Sequence, residues 1–339
     1  MEAQEARDPS GGISTEALSG VSAFVARVLN QLSISAWLPS AFLTIAGSFL
    51  LQFRAQRSLN LAHAATSLTN HPATVLILAV PVLVSSTLVT QAFSFEAIQT
   101  LEGYWRRPGV ASLVRNLMIR WHVRRKASLG TRRKNASIKA FASARPRLLD
   151  GKVPDPLVAA LEKSAQGIQP SVPPEYEKRF KSMSWRSMCN AWELARVDHL
   201  LAAEEGYPQN SRILPTRLGN LIRATEDKLK HVEDQDLEGF VLRQRGNVSD
   251  RVQQQHDQFR ARLEMYCILV FVSGLLAAGT PILLVGRRIP VWEILALLGG
   301  FAAVSFSSYQ AAIASAKGYC AALKQIDKAA EKQQGYEAL

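Results

Sequence analysis

The chain of 339 residues is 47% hydrophobic and carries a net charge of +12. Its three cysteines lie far apart and form no Cys-x-x-Cys pair, which argues against a disulfide framework or a zinc site, so we expect reduced thiols. The first eight residues hold three acids and one Arg. A secretory signal begins with a positive segment, so we expect no cleaved signal peptide.

Four stretches are apolar and each is close to the roughly 20 residues that cross a bilayer. No Lys, Asp or Arg interrupts them, and no segment shows the alternating pattern of a strand. The sequence therefore predicts an all-α integral membrane protein with four transmembrane helices in two hairpins. The predicted spans are Ile34–Phe53, Ala73–Phe95, Met265–Val285 and Val291–Ala311.

The sequence predicts two further features, one before the first hairpin and one within it. A mild amphipathic helix predicted over Leu18–Leu32 precedes the first span, and an interfacial helix and a packing element are equally favoured for it. The second span carries a polar face, which predicts either interhelical hydrogen bonds, the alternative that we favour, or the lining of a pore in an oligomer. This polar face consists of Ser85, Ser86, Thr87, Thr90 and Gln91.

A basic amphipathic helix over Gly109–Lys126 follows the second span. Val110, Leu113, Val114, Leu117 and Trp121 share one helix face. An apolar stripe with Trp, flanked by arginines and close to a membrane span, is typical of a helix in the headgroup plane of anionic lipid. The predicted lipid-surface residues are Arg115, Arg120, Trp121, Arg124, Arg125 and Lys126.

Two other interpretations of the basic helix remain. In one, the helix packs on the rest of the cytoplasmic domain and its charges are solvated. In the other, the basic residues bind nucleic acid, since they could also neutralise phosphates. The membrane is favoured over nucleic acid because the nearby span explains the Trp as well as the arginines.

The middle of the chain predicts a small helical domain. A long helix is expected from about Glu175 to Glu205, ended by Gly206-Tyr207-Pro208. A turn then introduces another helix, with Thr216 as its N-cap and Gly219 allowing a close approach of backbone. We interpret this turn as a structural and docking element. Its residues are Pro215, Thr216, Arg217, Gly219 and Asn220.

Charged residues near the turn could form a cluster. They are Glu205, Arg217, Glu226 and Asp227. A structural ion-pair network is favoured over a catalytic site here.

The second hairpin has a loop of five residues, Gly286–Pro290, which requires antiparallel neighbours. Small residues recur every fourth position in both of its spans, and include Gly274 and Gly300. We favour packing of the third span on the fourth over an oligomerisation face. Helical stripes before the third span and after the fourth predict a cytoplasmic antiparallel stalk, in which Phe259 and Tyr319 lie on the facing sides.

Basic residues near the span ends indicate the orientation. They concentrate after the second span, before the third and after the fourth, so the positive-inside rule places both termini and the central segment in the cytoplasm. The predicted organisation is a cytoplasmic N-terminal segment (1–33), a first transmembrane hairpin (34–95), a basic helical cytoplasmic domain (96–262), a second transmembrane hairpin (263–311) and a cytoplasmic C-terminal helix and tail (312–339).

Two short strings carry a resemblance. One is Phe95-Glu96-Ala97-Ile98 with Leu101-Glu102-Gly103-Tyr104-Trp105, and the other is Leu-Pro-Thr-Arg-Leu-Gly-Asn over 214–220. Together with the order of the spans, they resemble those of uncharacterised bacterial multi-pass membrane proteins with no established activity. The resemblance implies a bacterial cytoplasmic (inner) membrane and no site residues.

Catalytic motifs are lacking. The sequence contains no P-loop, dinucleotide fingerprint, HExxH or GxSxG, and its histidines are scattered. We therefore expect no enzyme, no cofactor and no metal. The favoured function is a membrane scaffold or signalling partner that binds the anionic bilayer, a cytoplasmic protein or a second copy of itself. The alternative is an oligomeric ion channel with a cytoplasmic helical gate, and a lipid-modifying enzyme ranks third.

Overall fold

The computed structural model describes residues 34–60, 66, 72–105, 109–230 and 237–337. The amphipathic helix predicted over Leu18–Leu32 lies outside these ranges. Every regular element within them is helical, as predicted. The α-helices are α1 (Ile34–Gln56), α2 (Pro72–Ala92), α3 (Ser94–Glu102), α4 (Val110–Asp150), α5 (Asp155–Ala165), α6 (Pro174–Ser182), α7 (Ala191–Glu205), α8 (Arg217–Glu226), α9 (Leu237–Gln244), α10 (Asp250–Leu284) and α11 (Val291–Glu337).

The chain divides into two compact units. The membrane unit comprises Met1–Leu101 and Ser249–Ala322, and the helical unit comprises Glu102–Val248 and Leu323–Leu339. Helices α10 and α11 are long and apolar enough to cross a membrane, and they contain the third and fourth predicted spans. In α2 the described apolar stretch is Val80–Ala92, which is shorter than a span. The chain is therefore all-helical with two candidate spans in the described residues, and four spans stay a prediction.

In the membrane unit, α1 packs against both α2 and α10. Leu50 and Phe53 of α1 are buried with Ile268, Val272 and Leu276 of α10 in one apolar cluster. Leu, Ile, Val and Phe at helical spacing provide the interdigitating side chains for this contact.

Gly274 and Gly300 of the second hairpin do not lie at the contact between α10 and α11. Apart from its chain neighbours and the backbone of its own helix, a Cβ atom built on either glycine would have no atom within 4 Å. The contact lies elsewhere, because Ser305 Oγ donates to the Val270 carbonyl at 3.2 Å. Packing of the third span on the fourth, as against an oligomerisation face, therefore stays a prediction for the small residues.

The predicted stalk contact is present between α10 and α11. Phe259 lies against Gly318. A Cβ atom added to Gly318 would lie 2.5 Å from Cδ1 and 2.6 Å from Cζ of the Phe259 ring. The rings of His256 and Tyr319 lie 5.0 Å apart between centroids. The absent side chain of Gly318 therefore leaves the space that Phe259 fills.

The helical unit has its core between α4, α5 and α7. Phe141 of α4 contacts Trp185 edge to face, with centroids 5.8 Å apart. The prediction of a single helix from Glu175 to Glu205 is wrong. This part of the chain instead forms three elements: α6, a 3-10 turn over Trp185–Met188, and α7. Ser184 and Cys189 are extended. These two breaks turn Trp185 and Cys189 into the core, so burial overrides local helix preference.

Candidate membrane-contact surface and the Pro215–Asn220 turn

Helix α4 is longer than the predicted Gly109–Lys126 segment and contains eleven Lys and Arg residues with one acid, Asp150. Its apolar stripe is exposed: Val110 is 77% exposed, Leu113 70%, Leu117 68% and Trp121 47%. At 100° per residue, these positions lie within one quadrant of the helix. Large apolar side chains exposed in a row indicate a surface that contacts something apolar.

The opposite side of α4 is bound to the helical unit. His122 Nδ1 and the Tyr207 hydroxyl are 3.1 Å apart. Arg133 pairs with Glu204 at 2.6 Å. Burial, with Arg125 nearby, lowers the pKa of His122, so its ring is neutral at physiological pH. One face of α4 is therefore fixed while the stripe points away from these contacts.

Two of the six predicted lipid-surface residues have internal partners. Lys126 Nζ donates to the Pro208 carbonyl at 2.8 Å and to Asn210 Oδ1 at 2.9 Å. Arg115 donates to the Trp105 carbonyl at 3.0 Å. Both side chains hold the helical unit together, which the sequence did not indicate because their partners are distant or irregular.

Of the other four, Trp121 belongs to the stripe, and Arg120, Arg124 and Arg125 lie near it. The Arg125 guanidinium is 5.0 Å from the centroid of the Trp121 ring. Arg120 and Arg124 are exposed and form no ion pair with any residue that the structure describes. With Leu117, Met118 and Trp121 they line a shallow groove on α4. Two unpaired guanidinium groups therefore lie next to apolar surface.

The Pro215–Asn220 turn caps α8 as predicted. Thr216 Oγ1 accepts from the Gly219 N–H at 3.1 Å and donates to the Glu102 carbonyl at 2.8 Å. Asn220 is fully buried; its Oδ1 accepts from the Leu214 N–H at 2.8 Å and its Nδ2 donates to the Leu214 carbonyl at 2.9 Å. The Asn220 side chain therefore bonds both backbone groups of Leu214, as a neighbouring β-strand would, and holds the turn in place.

The turn also binds the segment that follows α3. A Cβ atom on Gly219 would overlap with the carbonyl oxygen of Glu102. Gly103, at φ +99°, lies against Pro215, whose Cγ atom would be 2.6 Å from an added Cβ atom. The two strings that carried the resemblance therefore contact each other. Their separation in sequence concealed this contact.

The charged cluster near the turn differs from the prediction. Arg212 pairs with Glu226 at 2.8 Å and also with Asp227. Glu205 faces Lys228 at 3.4 Å instead. Arg217 is exposed and forms no ion pair in the described part of the chain. The network is built on Arg212, which sequence reasoning missed, and the exposed Arg217 is not part of it.

Glu102 stands out among the carboxyl groups of the helical unit. Burial and the nearby Glu226 carboxylate raise the pKa of Glu102 to about 7, against the lowering effect of the Arg223 guanidinium. Arg223 lies over the Tyr104 ring at 5.3 Å from its centroid. A carboxyl group at the start of this unit therefore changes charge near neutral pH.

Two residues of the predicted polar face of α2 bond to α1. Ser40 and Thr87 hydroxyls are 2.8 Å apart, and Thr44 Oγ1 donates to Ser86 Oγ at 3.3 Å. Thr90 Oγ1 instead donates within α2, to the Thr87 carbonyl at 3.0 Å. The hydroxyls of Ser86 and Thr87 therefore serve the packing of α1 on α2.

No protein-family model, no curated protein and no solved structure matches this chain. In the described ranges, no three His, Cys, Asp or Glu residues lie close enough to hold a metal ion. Function therefore has to be argued from the surfaces themselves.

Proposed function

We propose that the protein is a non-enzymatic membrane scaffold that holds its helical unit at an anionic bilayer surface through α4. The observation that supports this is the exposed stripe of Leu113, Leu117 and Trp121, flanked by the unpaired Arg120 and Arg124. The same helix is fixed to its unit on the opposite face. This is the distribution that an interfacial helix requires.

The two kinds of side chain would act together. Each basic residue near an anionic surface contributes on the order of 1 kcal/mol, and a buried Leu contributes about 1.5–3 kcal/mol at most. Helix α3 and the segment after it separate Val110 from Ala92, the end of α2, so the stripe still starts close in sequence to a predicted span. Chain connectivity therefore favours the membrane as the partner over nucleic acid.

The proposal includes a multi-pass topology in a bacterial cytoplasmic membrane. Four spans would put both termini and the helical unit on the cytoplasmic side, where the basic residues lie by the positive-inside rule. The resemblance of the two short strings to those of bacterial multi-pass membrane proteins is the reason for choosing the bacterial membrane. A cytoplasmic protein bound by the helical unit would complete the scaffold.

The test is the environment of residue 117. The full chain is placed in lipid nanodiscs, and Leu117→Cys is labelled with a polarity-sensitive fluorophore. The native cysteines are buried and react poorly. In nanodiscs of anionic lipid we expect a blue-shifted emission that spin-labelled lipid quenches. In nanodiscs of zwitterionic lipid we expect a smaller blue shift. Arg120→Gln with Arg124→Gln, or added salt, should reduce the shift.

The control is Lys178→Cys on α6, which is exposed and carries the same label. Its emission should not depend on lipid charge. An emission from residue 117 that is typical of water in both lipids would contradict the proposal. A packed environment that lipid quenchers do not reach would favour the packed-helix interpretation.

A further inference from the structure

A cavity of about 570 Å³, open at the surface, lies in the membrane unit between α1 and α11. Small-molecule sites commonly enclose 300–1,000 Å³ and are lined by apolar side chains with a few polar groups. The lining here is aromatic and aliphatic apart from one carboxylate, that of Glu293. Its main walls are Phe42, Phe53, Leu59, Trp292, Leu297 and Phe301.

The carboxylate lies at one end of this cavity. Glu293 belongs to the first turn of α11, and Phe301 follows eight residues later, about 12 Å along the axis at 1.5 Å per residue. Phe42 contacts Phe301 edge to face, with centroids 6.3 Å apart. The site therefore has an acidic end and an aromatic body.

Glu293 has no partner for its charge in the part of the chain that the structure describes. The helix dipole stabilises a carboxylate in the first turn of a helix, and this explains why Glu293 can be accommodated there. The dipole does not account for aromatic walls beside it. Ionisable groups in membrane segments are costly and commonly belong to functional sites.

We propose that this cavity binds an organic cation with an apolar body. An amine or quaternary ammonium group would face the Glu293 carboxylate, and the apolar body would lie against Phe42 and Phe301. Aromatic faces attract cations through their quadrupole, and this attraction strengthens when the cation is desolvated. The charge of Glu293 selects a cation over an anion or a neutral lipid tail.

The test compares two ions of the same shape and opposite charge. Tetraphenylphosphonium and tetraphenylborate are titrated into nanodiscs that contain the full chain, and the signal of protein-free nanodiscs is subtracted. We expect saturable phosphonium binding that is at least about tenfold tighter than borate binding. Glu293→Gln should weaken phosphonium binding about tenfold and tighten borate binding, because the negative charge that attracts one ion repels the other.

Two further variants sharpen the result. Glu264→Gln removes another carboxylate of the membrane unit, one that pairs with Arg260 at 3.2 Å, and should change neither affinity. Phe301→Leu keeps an apolar side chain but removes a ring that contacts the apolar body, and should weaken the binding of both ions. Equal binding of the two ions, or phosphonium binding that survives Glu293→Gln in a folded protein, would overturn the proposal and identify a groove for lipid tails.

Discussion

The carbonyl oxygen of Glu102 lies where a side chain on Gly219 would project. Thr216 donates its hydroxyl to the same oxygen at 2.8 Å while it caps α8. The Glu102 carbonyl group therefore accepts a hydrogen bond from Thr216 and also packs closely against Gly219. A side chain at position 219 would force the two segments apart.

The first prediction concerns this contact. Gly219→Ala should lower the free energy of unfolding by more than Thr216→Ala, whose loss of the cap costs about 1 kcal/mol. Arg217→Gln should change it by less than about 0.5 kcal/mol, because Arg217 is exposed. Thermal unfolding of the full chain in detergent, followed by circular dichroism, ranks the three variants. Loss of function in a stable Arg217→Gln protein, with Gly219→Ala tolerated, would instead make the turn a ligand site.

The local features of this turn could be predicted from sequence, because a cap and its helix are neighbours in the chain. Thr216 and Gly219 were assigned their roles correctly for that reason. Their shared partner could not be predicted: Glu102 lies 114 residues before Thr216, and only the tertiary fold brings it there. For the same reason the role of Arg212 could not be predicted, because its acidic partners follow 14 and 15 residues later, at the end of α8.

The second prediction is a pH dependence from Glu102. Its pKa is raised to about 7 by burial and by Glu226, against an ordinary value of 4.5. The folded state therefore holds a proton that the unfolded state releases between pH 4.5 and 7. The resulting stability is fully present below pH 4.5 and is lost as the pH rises through 7, with a slope of at most about 1.4 kcal/mol per pH unit.

Glu102→Gln should remove this slope, because glutamine stays neutral. The melting temperature of the variant, relative to the wild type, should rise between pH 5 and pH 8. Glu96→Gln on the same helix is the control, since Glu96 is exposed, and its difference from the wild type should stay flat. A flat difference for Glu102→Gln as well would show that Glu102 ionises at the same pH in both states.

The third prediction separates structural from lipid-facing basic residues on α4. Lys126→Gln should lower stability by about 1 kcal/mol, because it weakens the bonds to Pro208 and Asn210. Arg124→Gln should leave stability unchanged and reduce the lipid-dependent shift at residue 117. Thermal unfolding and fluorescence of the two variants in the same nanodiscs make the comparison. The opposite pattern would mean that Arg124, and not Lys126, holds the unit together.

The pattern on α4 could be predicted because helical periodicity defines a face without reference to any partner. What each arginine or lysine contacts could not be predicted, since Arg115 and Lys126 bond to backbone carbonyls of irregular segments. The break at Trp185 was missed for a related reason. The stretch has helical spacing throughout, and only the core around Phe141 requires the chain to turn.

The fourth prediction concerns the hydroxyls between α1 and α2. Thr87→Val removes the contact with Ser40 and should cost about 0.6 kcal/mol, the average for such bonds in membranes. Liposomes that contain the wild type should show no ion flux above protein-free liposomes. Flux that Thr87→Val alters would favour the channel, because the hydroxyl would then line a pore.

The fifth prediction is the topology. Cysteines at three exposed or partly exposed positions are tested in cells with a membrane-impermeant maleimide: Ser58 after α1, Lys178 on α6 and Arg287 between α10 and α11. Four spans with a cytoplasmic helical unit predict labelling from outside at positions 58 and 287 and protection at 178 until the cells are lysed. The wild type should label weakly, since its cysteines are buried.

Each alternative topology gives a different pattern in this experiment. If only α10 and α11 crossed the bilayer, positions 58 and 178 would share one side and position 287 alone would be labelled. If the orientation were inverted, position 178 would react from outside and the other two would be protected. The inverted pattern would also remove the proposed role of α4, because the cytoplasmic leaflet carries the negative surface potential that Arg120 and Arg124 require.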